Sequence, residues 1–527
     1  LHDALPISPN PKYDEGCWRT VTNWPKSYPL ALLIALMALL PVGVLFSLAQ
    51  DSAQLFDTHN LRVLGNTVSL VVLTIIGSVL IGVPLAFLTA YVQMPFKRFW
   101  LILLAAPLAL PSYIGAFAMY FSFGRGGEIE NILGITTPSI SGLWGSALVM
   151  SLYTYPFVMM TTRSSLLSLD ASLVNAARTL GLSLGASLWR VVLPRVVNSV
   201  AAGALLAALY ALSDFGTPAI MGFDTFTRVI FVEYNAFGLS QAAMLSLQLM
   251  VIVGLILFIE SRISGASERP GRHLSLFPGR WQRNLMLLAT MPIVLLAIVL
   301  PLAIFTLWLI REGTGGFVLS YAWNSAHASF IAAVVAVLLA IPVAHAAIAG
   351  KAGRVMERIT YFGFGVPGIV MGTALVYVGL KYLPALYQTL SLLVMAYVLR
   401  FIPLAVGSVR STAENIDSGL VKAARVLGAS PREAFMRITL PLTLRGMIAG
   451  AALVFLEAMR ELPATLMLGP TGFETLATYM WRVYEAGYFG RAAVPGLLLV
   501  LLSGVGLILM LSGEKKAQFT VTEDERS

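Results

Sequence analysis

A chain of 527 residues that is 57% hydrophobic and only 12% charged, with a mean hydropathy of +0.81, has too little polar surface to be wetted as an ordinary water-soluble globule. The same balance excludes a disordered or collagen-like chain, and a single cysteine, Cys17, excludes an internal disulfide framework and any cysteine-cluster metal site. The net charge of +9 is no nucleic-acid signal by itself, because basic loops that orient a membrane polypeptide produce the same excess.

The chain opens with a polar stretch, 1–29, that starts at Leu1 rather than Met and holds no apolar signal-peptide core; it reads as a cytoplasmic N-terminal segment and not as a native start. A hydrocarbon layer of about 30 Å needs roughly 20 apolar residues of helix. Uncharged runs of that length occur at 30–48, 64–92, 99–123, 143–162, 199–221 and 242–260, which group as a first six-helix domain, 30–260. A basic, proline-containing stretch at 261–286 reads as a cytoplasmic linker. Six more runs follow at 287–310, 328–349, 360–380, 388–409, 446–469 and 494–511, giving a second domain, 287–511, and a charged tail, 512–527, expected to be disordered. Prolines at 84, 107, 111, 342 and 367 fall inside these runs, which membrane helices tolerate when neighbouring groups satisfy the freed carbonyls. With both termini inside, 26 of the 35 basic residues fall on the inner side and seven on the outer, so positive charge orients twelve crossings. Trp100, Trp144 and Trp323 stand near span ends as interfacial anchors.

The two halves repeat. Leu173 to Gly181 (LVNAARTLG) aligns with Leu420 to Gly428 (LVKAARVLG) at a spacing of 247, which also pairs Leu193-Pro194 with Leu440-Pro441, Pro156 with Pro403, Asp170 with Asp417 and Asp214 with Glu461. Upstream, Asn66-Thr67 matches Asn324-Ser325 at 258, so the first half carries about eleven extra residues, most of them in the outer loop near 124–142. An even number of spans per half makes the repeat parallel, with a pseudo-two-fold axis along the membrane normal and a path between the halves. The expected fold is an all-α membrane protein of twelve transmembrane helices in two parallel six-helix repeats.

The repeated segment reads as two short helices with a turn between them. Asp417 is placed to cap the first helix, Gly428 to end it in a left-handed conformation, and Ser430-Pro431-Arg432-Glu433 spells a capping box for the second. The first copy keeps Asp170 and Gly181 without that box. The adjacent alanines, Ala176-Ala177 and Ala423-Ala424, would let such a pair lie closely in a groove of another protein. This Ala-Ala-x-x-x-Gly pattern, followed at a fixed distance by Leu-Pro, resembles the EAA loop of ABC importer permeases, the segment that docks into the ATP-binding subunit. Asn175 and Lys422 stand where that motif has glutamate. The resemblance implies a type I importer permease with two fused domains, docking through Asp170, Asn175, Ala176, Ala177, Gly181 and Pro194 in one copy and Asp417, Lys422, Ala423, Ala424, Gly428 and Pro441 in the other. It also implies two copies of an ABC ATPase subunit, a periplasmic substrate-binding protein and a place in the bacterial inner membrane. The stretches from Ser213 to Ile220, Arg460 to Leu466 and Gly472 to Thr478 are similar to ferric-iron importer permeases, while thiamine, sulfate, polyamine and phosphonate permeases share the domain.

No Gly-x-x-x-x-Gly-Lys-[Ser/Thr] loop occurs, so ATP and magnesium are expected on the partner subunits and no cofactor or catalytic residue on this chain. Ionisable groups at membrane depth are costly and so are candidates for the translocation path: Asp214, Glu457, Arg460 and Glu461, with Arg400 beside them. The competing reading is that Arg460 pairs with a carboxylate to lower its burial cost. His327 and His345 lie near opposite ends of one span and His59 and His273 in loops, so no metal site is assigned. A secondary transporter with parallel six-span repeats is the alternative, and a membrane enzyme is disfavoured because the spans offer no nucleophile–base arrangement.

Overall fold

The computed structural model describes residues 27–49, 57–263 and 274–504. Most of the expected N-terminal segment, the middle of the linker with His273, and the tail lie outside the described residues. Nine helices among the described residues are long and apolar enough to cross a membrane: Ser27–Ala49, Thr58–Tyr91, Gly142–Ser168, Leu184–Ser213, Leu239–Glu260, Arg280–Glu312, Leu319–Ala349, Leu390–Glu414 and Arg432–Met459. The run expected at 99–123 is a pair, Lys97–Leu108 and Ser112–Ser122, bent by 86°, which makes a tenth crossing if counted as one span. Two other expected runs give shorter apolar helices, Gly368–Lys381 and Phe489–Gly504.

Prolines and caps account for the shortened runs. Pro111 has no N–H to continue the helix and biases Leu110 away from the helical region, so the third run turns at residues 109–111. Pro367 does the same between Lys351–Gly365 and Gly368–Lys381. The runs expected at 199–221 and 446–469 stop at Ser213 and Met459, and each is followed by a short helix, Gly216–Ile220 or Pro463–Leu468.

The described residues form two compact units, one falling within Leu1–Leu40, Ile331–Phe364 and Val398–Val454, the other within Pro41–Phe330, Gly365–Tyr397 and Phe455–Ser527. In the larger unit, Thr58–Tyr91 packs along Gly142–Ser168, and small residues set the approach. A Cβ at Gly82 would lie 2.8 Å from the Tyr155 carbonyl oxygen, and Ser78 and Thr154 share a 2.8 Å hydroxyl hydrogen bond across the pair. Leu193–Ser213 crosses Gly142–Ser168 at Gly203, where a Cβ would meet Val158 Cα at 2.6 Å. The smaller unit repeats this crossing with the residues 247 further on, Gly450 against Ala405 Cα at 3.0 Å. It also buries Glu357, which with Glu414 holds Arg410. After the linker the chain is stitched to the end of Thr58–Tyr91 by hydrogen bonds from Leu276 N–H to Tyr91 O (2.8 Å) and from Gln93 N–H to Leu276 O (3.0 Å). The extra residues of the first half fold as a short helix, Glu128–Leu133, whose Glu128 accepts from Trp308 Nε1 and Arg311 Nη1, both at 2.7 Å.

The Leu-Pro pairs Leu193-Pro194, Leu300-Pro301 and Leu440-Pro441 each follow a π-turn, Leu188–Val192, Leu295–Val299 or Phe435–Thr439, whereas Leu40-Pro41 sits in the uninterrupted helix Ser27–Ala49. At each π-turn the leucine N–H reaches back five residues, Leu193 to Leu188, Leu300 to Leu295 and Leu440 to Phe435. The wider turn moves aside the carbonyl that the following proline ring would otherwise strike. It also leaves carbonyls without donors. Ala297 O would accept from residue 301, which is proline, and the buried Tyr153 hydroxyl donates to it instead at 2.9 Å. Leaving that carbonyl unpaired costs about 1–3 kcal/mol. Tyr153→Phe is therefore expected to lower the thermal midpoint of the purified protein in detergent, whereas Tyr488→Phe, at an exposed ring, leaves it unchanged.

Candidate functional site

The repeated loop is built twice by the same hydrogen bonds. In the first copy Asp170 Oδ1 accepts from Ser172 N–H at 2.8 Å and caps the helix Ala171–Thr179. That helix closes in a Schellman motif, with Leu182 N–H on Ala177 O (3.1 Å) and Gly181 N–H on Arg178 O (3.0 Å). In the second copy Asp417 Oδ1 accepts from Gly419 N–H at 2.8 Å, Ala429 N–H donates to Ala424 O (3.0 Å) and Gly428 N–H to Arg425 O (3.1 Å). Gly181 and Gly428 sit at φ +90° and +92°, where a side chain is strained even though the space around both is open. The expected capping box is present: Glu433 N–H donates to Ser430 Oγ (3.2 Å) and Ser430 N–H to Glu433 Oε2 (2.8 Å). Ser183 supplies half of that box in the first copy, accepting from Ala186 N–H at 3.3 Å. Each second helix then runs through its π-turn into Pro194 or Pro441, both exposed.

The paired alanines have different environments. Val174 and Ala177 face inward, while Asn175 and Ala176 are exposed; in the second copy Val421 is buried, Ala424 half-buried, and Lys422 and Ala423 exposed. Beside the exposed alanine stands an apolar residue that the sequence reading passed over, Leu180 at 86% exposure and Leu427 at 87%. Trp189 and Met436, again 247 apart, add a second exposed apolar pair. An open hollow lined by Asn175, Arg178, Thr179, Gly181 and Leu182 lies in the first copy. Apolar knobs at this exposure, flanked by small and basic side chains, have the character of a protein-docking surface.

The membrane-depth charges all have local partners. Asp214 ends Leu193–Ser213, and its carboxylate accepts from Ser112 Oγ (2.8 Å) and from Gly216 N–H (3.2 Å) at the start of the short helix Gly216–Ile220. Glu461, buried, accepts from Ala464 N–H (3.1 Å) in the equivalent helix Pro463–Leu468. Arg460 is paired with Glu457, its Nε 3.1 Å from Glu457 Oε2. Its Nη1 donates to the carbonyls of Leu108 (3.3 Å) and Ala109 (3.0 Å) at the bend of the third run. The structure therefore joins Asp214, through Ser112, and Arg460 to the two sides of one bend. Arg400 stacks on Phe401. His327 stacks on Trp323 and His345 packs against Phe435, and no three His, Cys, Asp or Glu side chains converge among the described residues.

Residues 78–265 and 336–516 each match the family described as binding-protein-dependent transport system inner membrane component. The chain is 30% identical to a Fe(3+)-transport system permease protein of Haemophilus influenzae over 86% of its own length and 90% of the relative's. It is 26% identical to a probable ABC transporter permease protein of Sinorhizobium fredii over 92% of this chain and 93% of that one. A molybdate/tungstate transport system permease protein of Pyrococcus furiosus matches 35% of the chain, and 70% of its own length, at 29% identity.

A Cβ in the left-handed conformation costs roughly 1–2 kcal/mol, about a ten-fold change in a local opening equilibrium. Gly181→Ala and Gly428→Ala are accordingly expected to speed amide hydrogen exchange at Leu182 and Ala429 by about that factor, with no change in the global thermal midpoint.

Proposed function

We infer the function from one premise: the chain belongs to the family of binding-protein-dependent transport system inner membrane components, and is a transport permease. We propose that it is the transmembrane permease subunit of an ATP-driven importer, with permease domains at 30–260 and 287–511 crossing the inner membrane twelve times and both termini cytoplasmic. The two repeated loops are its docking elements, one for each of two ATPase subunits. ATP and magnesium act on those partners, and this chain hydrolyses nothing. The observation that carries the reading is the duplication of the loop down to its caps, its left-handed glycines and its exposed leucines. A helical pair locked at both ends by hydrogen bonds transmits a push as a rigid body, which is what coupling to an external motor requires.

Cargo is proposed to be ferric iron, handed over by a periplasmic binding protein. Support comes from the relative named for Fe(3+) transport, whose match covers 86% of this chain. The molybdate relatives keep an oxyanion as the second reading. Uptake of radioactive iron by vesicles holding the assembled importer, competed with molybdate, separates the two; uptake driven by an ion gradient without any ATPase would establish a secondary transporter instead.

Two outcomes test the proposal. Leu180→Glu with Leu427→Glu puts charge on both knobs, each worth about 2 kcal/mol on the scale of interface hot spots, and is expected to abolish ATPase co-purification while the thermal midpoint holds. Asp214→Asn with Glu461→Gln keeps an acceptor oxygen for each cap and removes only the charge. That variant is expected to lower uptake with ATPase assembly intact, and full uptake would remove both carboxylates from the path.

A further inference from the structure

The internal repeat continues beyond the short helices, with three residues added in the second copy: Gly222 to Ala236 aligns with Gly472 to Ala486 at a spacing of 250. The structure treats these stretches as equivalents. Asn66 Nδ2 donates to Asp224 O and Asn324 Nδ2 to Glu474 O, both at 3.0 Å. Phe226 N–H donates to Thr67 Oγ1 (3.0 Å) and Leu476 N–H to Ser325 Oγ (2.8 Å). Each half thus pins the start of one helix, Phe226–Asn235 or Leu476–Glu485, to its own long apolar helix.

Contacts between the halves are reciprocal here. Tyr234 donates to the carbonyl of Met467 (3.5 Å), and Tyr484, its repeat mate, donates to the carbonyl of Ile220 (3.3 Å), the mate of Met467. Such an exchange, i to j and j to i, is the mark of a two-fold interface. Between the two tyrosines Phe231 meets Trp481, ring centroids 5.9 Å apart and planes at 90°. These two residues are also mates at 250. A residue touches its own mate only at the symmetry axis, so this pair lies on the pseudo-two-fold axis. Phe215 closes against both rings, at 4.8 Å from Phe231 and 4.9 Å from Trp481.

We propose that the Phe231–Trp481 pair, clamped by the reciprocal Tyr234 and Tyr484 hydrogen bonds, is the gate that shuts the path between the halves on the outer side. The proposal rests on the permease reading above, because a path along the axis is what the rings would block. An edge-to-face pair at the axis leaves no room for a hydrated ion. Opening parts the two short helices, which breaks the two tyrosine hydrogen bonds and the ring contacts of Trp481 with Phe231 and Phe215 and of Tyr484 with Phe117, while each helix stays pinned to its own half.

The test needs no motor. Vesicles holding the purified full chain are mixed with ribose, and its entry is followed by light scattering. Phe231→Ala with Trp481→Ala is expected to raise ribose entry several-fold over the unaltered chain. Entry no faster than with Phe237→Ala, at a 94% exposed neighbouring ring, overturns the gate. Because the double alanine variant could fail to fold, Phe231→Cys with Trp481→Cys in a Cys17→Ser background is bridged by a short reducible bifunctional thiol reagent in the assembled importer. Loss of ATP-driven uptake on bridging, restored by reductant, supports the gate, and undiminished uptake in the bridged protein overturns it. Ribose entry that rises in a chain that binds no ATPase keeps the gate and sinks the permease reading; ATP-driven uptake without any effect of either pair of substitutions does the reverse.

Discussion

A bilayer offers no water to a broken helix, and that single constraint explains most of the polar architecture of this protein. A backbone carbonyl released by a proline costs several kcal/mol in hydrocarbon unless a side chain reaches it. The chain uses proline freely within its apolar runs, and at three of these sites a side chain covers a freed carbonyl. Tyr153 donates to Ala297 O opposite Pro301, Tyr155 to Leu104 O beside Pro107 (2.7 Å), and Arg460 to Leu108 and Ala109 O before Pro111. The carboxylates do the converse work: Asp214 and Glu461 accept from the N–H groups that open the short helices after the fifth apolar run of each half. Charges that in a sequence look reserved for cargo thus have backbone partners. Whether they also meet cargo depends on charge rather than on the cap, since an amide would serve the cap equally.

The duplication is conserved differently at different places, and the differences are informative about what each part does. Backbone-directed contacts are kept to within a few tenths of an ångström between copies, in the caps of the repeated loops and in the pins from Asn66 and Asn324. Side chains that make no such backbone contact diverge. Lys422 stands where the first copy has Asn175, Met436 where it has Trp189, and Trp481 where it has Phe231. A two-domain permease made from one chain has that freedom, because its two repeated loops and the two sides of its axis need not be identical as they must be in a homodimer.

Helix positions were legible because a run of twenty uncharged residues is a local property, and the repeated loop was legible because caps and left-handed glycines depend on residues within four positions of each other. The ends of helices were not. The run at 199–221 reads as one apolar stretch, yet it stops at Ser213 because Asp214 prefers to cap the next helix. The π-turns before Pro194, Pro301 and Pro441 were equally hidden, because a Leu-Pro pair does not by itself produce one, as Leu40-Pro41 inside the helix Ser27–Ala49 shows. Leu180 and Leu427 were passed over because an apolar residue in a loop carries no sign of its exposure until the chain is folded.

Sequence alone determined the solvent this protein lives in, the order of its apolar helices, its doubling and the hydrogen-bond chemistry of the repeated loops, since each is written in composition, period or short spacing. Tertiary structure alone decided which orphaned carbonyl each polar side chain serves and which equivalent residues meet at the axis. Arg460 lies 351 residues from Ala109, and Tyr484 lies 264 from Ile220. No local pattern encodes such a pairing, because it follows from how packed helices bring their breaks together.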